Sequence, residues 1–374
     1  MFKYPLFKTF YSPQLDHAIS SVLQSGAVAS GPYIQEFEKG LGHLLNESYV
    51  VSTSDMSAAM FMALYLSGVQ KGDQVLTTAF ACMSSNSPIS AIGATPVWVD
   101  LAPDSFHMDP AHLEELITER TKAVILYHTA GYPAHSKAIS EICKRHGIAL
   151  IEDCDNAFLA ENSDGLSGSY GDFCVHSFYP NRLINTIEGG ALVCKNKHDY
   201  DKACRLRRFG VDSGTFRNNI GEINPHSDIP EIGWSMNLSN LHCAMGTVQL
   251  NDVKDRLSTI RRNAHIIDTY LDKVEGISRP QLTSGDVPSY WVYLLKVNKR
   301  NLFIEKLKEC GVHASSLHQR NDIYSGFKAD RPDLPVTGEV QSSVLALPVG
   351  WWLSESDIIA MMDIFSDVKE KIDE

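Results

Sequence analysis

From residue 49 to residue 178 the sequence keeps one rhythm. A short apolar or β-branched run is followed by a stretch with helical spacing, and then by another run. The runs are "YVVST" (49–53), "QVLTT" (74–78), "TPVWVD" (95–100), "AVILYH" (123–128), "IALIED" (148–153) and "FCVHSF" (173–178), with helical patterns at 57–67, 111–118 and 136–146. Runs this short and this apolar suit strands buried on both faces, and intervening helices let successive strands run parallel. The expected fold class is therefore α/β, with a mostly parallel central sheet in a large domain. A ligand of such a sheet belongs outside the carboxyl ends of its strands.

Two amphipathic helices precede this region. Ser12 can cap the first and Pro13 suits its first turn; Leu15, Ile19, Val22 and Leu23 line one face before Gly26 stops it. The second places Ile34, Phe37, Leu41 and Leu44 on one side. After about residue 250 the pattern changes to a long charged helix ("VKDRLSTIRRNAHIIDTYLDKV"), a strand ("YWVYLLKV"), a helix ("RNLFIEKLKECG") and a closing helix after "LSESD". These features predict a large domain over 1–250 and a smaller α+β domain over 251–374. The Gly/Asn/Pro-rich piece 210–232 reads as a loop, and loops of that length are more often functional than idle.

Composition narrows the function classes. A net charge of −12 argues against nucleic acid and acidic membrane surfaces as partners, because phosphates need a basic face. The eight cysteines are scattered, with no Cys-x-x-Cys pair and no zinc spacing with histidine, so no metal is expected. The N-terminal stretch lacks a signal-peptide apolar region and no run is long enough to span a bilayer, so a reducing, cytoplasmic compartment is expected. No Gly-x-Ser-x-Gly elbow supports a hydrolase.

Three strand-end motifs carry chemistry. "IEDCDNA" ends a buried strand with Glu152, Asp153 and Asp155; a carboxylate there can pair with a protonated ring nitrogen, or simply cap the next helix. "TSDMSAAM" opens a helix whose free N–H groups, with Ser54 and Ser57, can hold a phosphate, though a plain Ser-capped helix has the same pattern. "HSFYPNRLINTIEGG" brings Ser177, Asn181 and Arg182 after another strand, then a Gly189-Gly190 turn; the plain alternative is a β-hairpin with an exposed arginine. Each is weak alone, but their order and spacing together are not.

The series "SGPYIQEFE" (30–38), "KGDQVLTT" (71–78), "GATPVWVD" (93–100), "YHTAGYP" (127–133), "IEDCDNA" (151–157), "SFYPNRLINTIEGGALV" (177–193), "GWSMNLSNLHCAMG" (233–246) and "LALPVG" (345–350) resembles the DegT/DnrJ/EryC1/StrS family along nearly the whole chain. Members of that family are fold-type I pyridoxal-phosphate enzymes that mostly aminate keto-sugars, usually nucleotide-linked, in amino-sugar biosynthesis. The resemblance implies that Asp153 partners the pyridine nitrogen and that Asn156 lies beside the cofactor's 3-hydroxyl. It implies that the backbone at Asp55 and Met56, with the Ser57 and Ser177 hydroxyls, cradles the phosphate. Asn237 is implied to reach a neighbouring subunit's phosphate, hence a homodimer with shared sites, and His318 to line the sugar side. Two departures are a bulky Met56 where the family has a small residue, and Cys82, two residues after Phe80, where an aromatic often stacks on the ring.

The third departure is Arg182. Counting five residues on from Ser177, or six back from Glu188, gives the family's Schiff-base lysine position, and Arg182 occupies it. A lysine amine can lose its proton near neutral pH in suitable surroundings, whereas a guanidinium stays charged. Arg182 can hold positive charge and donate hydrogen bonds, but it cannot bond pyridoxal phosphate covalently. Three readings follow. The chain is an aminotransferase, with glutamate as amino donor, impaired by a lysine-to-arginine change. Or it is a natural member holding pyridoxal or pyridoxamine phosphate non-covalently, a sugar dehydratase-like enzyme with His176 or His318 as base. Or it is a catalytically silent ligand-binding or partner subunit.

Overall fold

The computed structural model describes residues 2–374. In chain order the strands are β1 (Val50–Thr53), β2 (Gln74–Thr78), β3 (Thr95–Val99), β4 (Thr121–Tyr127), β5 (Ala149–Asp153), β6 (Glu161–Asn162), β7 (Gly165–Leu166), β8 (Phe173–Ser177), β9 (Gly190–Cys194), β10 (Tyr293–Lys296) and β11 (Val344–Leu347). The helices are α1 (Pro13–Ser25), α2 (Tyr33–Leu45), α3 (Met56–Leu66), α4 (Met83–Ala91), α5 (Pro110–Glu115), α6 (Ser136–His146), α7 (Lys197–Leu206), α8 (Asn240–Leu250), α9 (Val253–Leu271), α10 (Arg300–Glu309), α11 (Pro335–Ser343) and α12 (Glu355–Asp373).

Seven strands form one sheet in the order β1-β9-β8-β5-β4-β2-β3. Only β9 runs against its neighbours, pairing antiparallel with β1 and β8; the other pairings are parallel. Both faces are covered. Val75, Ile125, Ile151, Val175 and Leu192 pack under α3 and α4, while Leu76, Val124, Leu126 and Leu150 pack under α5 and α6 on the reverse. Cys174, Ala191 and Val193 meet α2 and α8 on that reverse face. Burial on both sides is why the strand runs show no polar alternation.

The helix signals act as their chemistry dictates. The Ser12 hydroxyl accepts from the Leu15 N–H and Gly26 closes α1 in the left-handed conformation. Leu23, expected on the packed face, is 55% exposed, because it sits about 100° around the helix from Val22, which is buried. Gly189-Gly190, expected as a turn, is not one. Gly190 begins β9 and pairs with Ser177, so residues 178–189 form the connecting loop.

The remaining elements build a second core. β10 and β11 pair antiparallel, and α9, α10 and α12 pack against them. Tyr4 and Leu6 from the N-terminal segment enter the same core, together with Phe80, Ala130 and Tyr132 from loops of the large sheet. Asp100 accepts from the N–H groups of Val336 and Thr337, and Asn86 donates to Asn321 Oδ1, while Asn321 donates its backbone N–H to Ala79 O and its Nδ2 to Ala81 O. These bonds fix the C-terminal part over the strand ends. No described helix is long and apolar enough to cross a membrane.

Candidate active site

β4, β5 and β8 run parallel, so Tyr127, Asp153 and Ser177 all finish at one edge of the sheet. The three carboxylates of "IEDCDNA" take different places there. Side chains alternate along a strand, and Glu152 faces the reverse side. It accepts from His128 Nε2, Ser136 Oγ and the N–H groups of Gly168, Tyr170 and Gly171, all within 3.0 Å. Burial alone would raise its pKa. The hydrogen bonds from His128, Ser136 and Gly168 outweigh that and bring it down to about 2. Glu152 is thus a permanent carboxylate used up in holding loop 168–171.

Asp153 is free by contrast. One oxygen accepts the Asp155 N–H at 3.1 Å; the other, Oδ2, is buried with no partner among the described residues. Burial and the neighbouring Asp155 charge push its pKa well above the usual carboxylate range. Asp155 is also buried, but its Oδ2 lies 2.8 Å from Arg182 Nη2. Burial pushes Asp155 up and the guanidinium pulls it part of the way back, so Asp155 stays raised, but less strongly than Asp153.

Arg182 is not an exposed hairpin residue. Its side chain is 9% exposed, on the loop between β8 and β9. Nη1 donates to Asn181 Oδ1 at 2.6 Å, and Cζ sits 4.7 Å from the centre of the Trp291 ring. Trp291 is itself fixed, donating through Nε1 to Asn181 O and stacking on Phe7 at 4.9 Å. A small pocket lies beside the pair, lined by Lys8, Asn156, His176, Ser177, Arg182 and Trp291 among others.

Asn156 Nδ2 donates to the Tyr127 hydroxyl at 2.9 Å, leaving Asn156 Oδ1 without a partner among the described residues. The Tyr127 hydroxyl also shares a hydrogen bond of 3.0 Å with His318 Nε2. Burial, with the Arg182 charge, pushes His318 down to about 3, so the ring is neutral. Phe80 meets the His318 ring edge-on at 5.6 Å. Cys82 caps α4 near Tyr127 and receives a hydrogen bond from Ser84 Oγ. His176 pairs instead with Cys174, Nε2 to Sγ 3.4 Å; the neighbouring Cys154 thiol and then His176 bring the Cys174 thiol down to about 5 despite burial.

A second cluster surrounds the start of α3. Asp55 caps the helix, accepting from Ala58 N at 2.8 Å and from Ser54 Oγ. Among the described residues nothing accepts from the N–H groups of Met56 and Ser57. The Met56 side chain is buried in the core beneath, so its bulk leaves that N–H clear. Gly190 brings Ser177 alongside: a Cβ there would come within 2.6 Å of Asp55 O and 2.8 Å of Met56 N. Asn237 lies at the same junction through its backbone bridge to Thr53.

The structure therefore joins Asp153, Asn156, Arg182 and His318 in one connected cluster, and sets Asp55, Met56, Ser57, Ser177 and Asn237 in a neighbouring one. Cys82 borders the first. The sequence reading missed Tyr127, Trp291 and the pairing of Asp155 with Arg182. Tyr127 lies inside a motif quoted for its family pattern, and only its position at the end of β4, beside β5, hints at a role.

These residues suit a flat ring carrying a protonated nitrogen at one end and a phosphate at the other. The unpartnered Asp153 oxygen and the clear N–H groups of α3 supply the two ends. Arg182 offers no amine for covalent attachment, because its guanidinium stays charged; the amine that lines this pocket is that of Lys8, from the N-terminal segment.

The chain resembles known sugar aminotransferases in sequence and in fold. It is 28% identical to the GDP-perosamine synthase of Caulobacter vibrioides over 89% of this chain and 90% of that protein. The sugar aminotransferase CalS13 from Micromonospora echinospora superposes with a TM-score of 0.92 at 29% identity, covering 97% of this chain and 99% of that one. The PLP-form of Spr1654 from Streptococcus pneumoniae shares the fold with a TM-score of 0.90 at 23% identity, over 98% and 99% of the two chains. The family model matches residues 12–366, and with it the whole strand-end site, so the chain belongs to the DegT/DnrJ/EryC1/StrS aminotransferase family.

Proposed function

We propose that this chain binds pyridoxal or pyridoxamine phosphate without a covalent link and takes a keto or aldehyde sugar, nucleotide-linked, as its ligand. The family's amination, with glutamate as donor, is impaired here by Arg182. The observation that carries this is the 2.8 Å pair between Arg182 and a buried Asp155 beside the unpartnered Asp153 oxygen. When bound, the cofactor supplies an electron sink and carries the amino group.

The chain's own residues do the rest. Asp153 gives up its proton to become the counter-charge of a protonated ring nitrogen, which relieves the isolation of its Oδ2. The Met56 and Ser57 N–H groups and the Ser177 hydroxyl donate to the phosphate, with Asn237 reaching the phosphate of a second copy in a homodimer. Asn156 Oδ1 and the Tyr127–His318 pair orient polar groups at the ring edge and sugar. Arg182, held by Asp155, contributes charge and shape but neither attacks an aldehyde nor moves a proton.

A dehydratase-like reaction needs a base at the sugar carbon. Both histidines offered for it are committed: His318 has little basicity and is hydrogen-bonded to Tyr127, and His176 is paired with Cys174. The amination-derived reading is therefore preferred. The test is to load purified protein with pyridoxal phosphate, desalt it, and measure absorbance and intact mass after borohydride reduction. Retained cofactor with unchanged protein mass is expected, together with at least tenfold weaker binding in Asp153→Asn. A covalent adduct on the unaltered chain, or no retention at all, would overturn the reading.

A further inference from the structure

We infer that Asp155, and not the absence of a lysine alone, decides the chemistry of position 182: it makes this position a seat for a permanent cation, so that a lysine placed there would be held protonated and unreactive. The inference rests on the proposed non-covalent cofactor reading and names the residue responsible for it.

The seat is built from three sides. Asp155 Oδ2 faces one guanidinium nitrogen at 2.8 Å, Asn181 Oδ1 faces another at 2.6 Å, and the Trp291 ring covers the carbon at 4.7 Å. Each contact favours positive charge, whether by ion pairing, by hydrogen-bond acceptance or by the ring's negative face. A neutral amine could still donate to Asn181 Oδ1, but it would forgo the ion pair with Asp155 and the attraction of the Trp291 ring. The carboxylate side chain is fully buried, so water screens the pair little. An unpaired buried carboxylate is costly, which gives Asp155 a standing demand for a cation at 182.

Other titratable groups face the pair from every side. Asp153 lies on β5, Tyr127 on β4, His176 on β8, His318 in the segment before α11, and Lys8 on the N-terminal segment lining the same cavity. Burial and the neighbouring Asp155 raise the pKa of Asp153, which favours its neutral form, and His318 is neutral. Tyr127 is neutral as well, its pKa raised by burial and by the two aspartates. His176 shares its charge with Cys174. Asp155 is thus the carboxylate that answers Arg182, and Lys8 is not within ion-pair distance of it among the described contacts.

The consequence is chemical. Covalent attachment needs the lone pair of a neutral amine to attack the aldehyde carbon; the carbonyl oxygen then leaves as water and a carbon–nitrogen double bond remains. An ammonium has no lone pair to offer. The guanidinium itself rules out this step for the arginine, and Asp155 opposes it for a lysine at 182. Restoring the covalent link takes two changes, one at 182 and one at 155.

The experiment compares the unaltered chain, Arg182→Lys, Arg182→Lys/Asp155→Ala and Arg182→Lys/Asp155→Asn. The first readout needs no cofactor: trace acetylation of the amine introduced at position 182, by acetic anhydride, is followed against pH by peptide mass spectrometry. The midpoint should be at least one pH unit lower in the double variants than in Arg182→Lys. The second is the borohydride-trapped adduct with pyridoxal phosphate at pH 7, expected to be at least tenfold greater in a double variant. Equal midpoints in the single and double variants would overturn the inference, as would full adduct formation by Arg182→Lys at pH 7. If the midpoints differ but no variant retains the cofactor, Asp155 controls the amine and the cofactor reading is what fails. The asparagine variant keeps the side-chain volume, so loss of folding in the alanine variant leaves the comparison intact.

Discussion

Glu152 and Asp153 are adjacent, buried and chemically similar, yet one is spent on structure and the other is open to a ligand. The difference is the number of donors each meets. Glu152 meets five, from His128, Ser136, Gly168, Tyr170 and Gly171. Its oxygens are saturated in the ionised form, so Glu152→Gln, whose amide N–H₂ would face donors, should lower stability by ~2–4 kcal/mol. The pH dependence has a definite sign. The folded pKa is about 2 against an unfolded value near 4.5, so the contribution is complete above that value and is lost as pH falls towards 2. Thermal melts of both proteins from pH 7 to pH 3 should show a wide gap that narrows in acid. A gap that stays constant would mean the carboxylate's charge is not what the loop needs. The identity of these residues as a carboxylate cluster was legible in the sequence, but not which of them was free. That depends on the face each presents, and on partners as distant as Arg182 and Trp291 that only the folded chain brings near.

The strands and most helices could be read in advance because burial on both faces writes the same signal into every strand. The reversal of β9 could not. It depends on how residues 178–189 turn, and a Gly-Gly pair reads as a turn whether it lies in a loop or begins a strand. The second glycine has a more particular task, because β9 must pass close to the first turn of α3. A Cβ at Gly190 would approach Asp55 O at 2.6 Å and Met56 N at 2.8 Å, both backbone atoms that cannot rotate away. Gly190→Ala should therefore cost ~1–3 kcal/mol through forced displacement of packed backbone. It should also separate the α3 N–H groups from Ser177 and weaken pyridoxamine phosphate binding at least tenfold. A melt and a fluorescence titration read the two effects separately. A lowered melting temperature with unchanged affinity would show that the phosphate is not held at this junction.

For the molecule as a whole, the segment between α7 and α8 is out of keeping with an isolated chain. It is a long loop without helix or strand, yet it exposes Phe209, Ile220, Ile223 and Ile232, with Ile220 at 82% and Ile232 at 74%. Scattered apolar residues on a surface are ordinary, but four within 24 residues on one loop suit burial against another surface. The loop runs into the strip that carries Asn237, which bridges to Thr53 next to the phosphate cradle. In a two-fold dimer the same surface serves both partners, so a second copy docked over this loop would cover the isoleucines of both chains. The chain should therefore scatter light as a species of twice its 41.5 kDa mass, and Ile220→Asp with Ile223→Asp should shift it towards the monomer. If the sites are shared, the same pair of changes should weaken pyridoxamine phosphate binding, and Asn237→Ala should do so while leaving the dimer mass intact. A chain that is monomeric from the start, with affinity untouched by Asn237→Ala, would place the whole site within one copy and leave the exposed isoleucines to another partner.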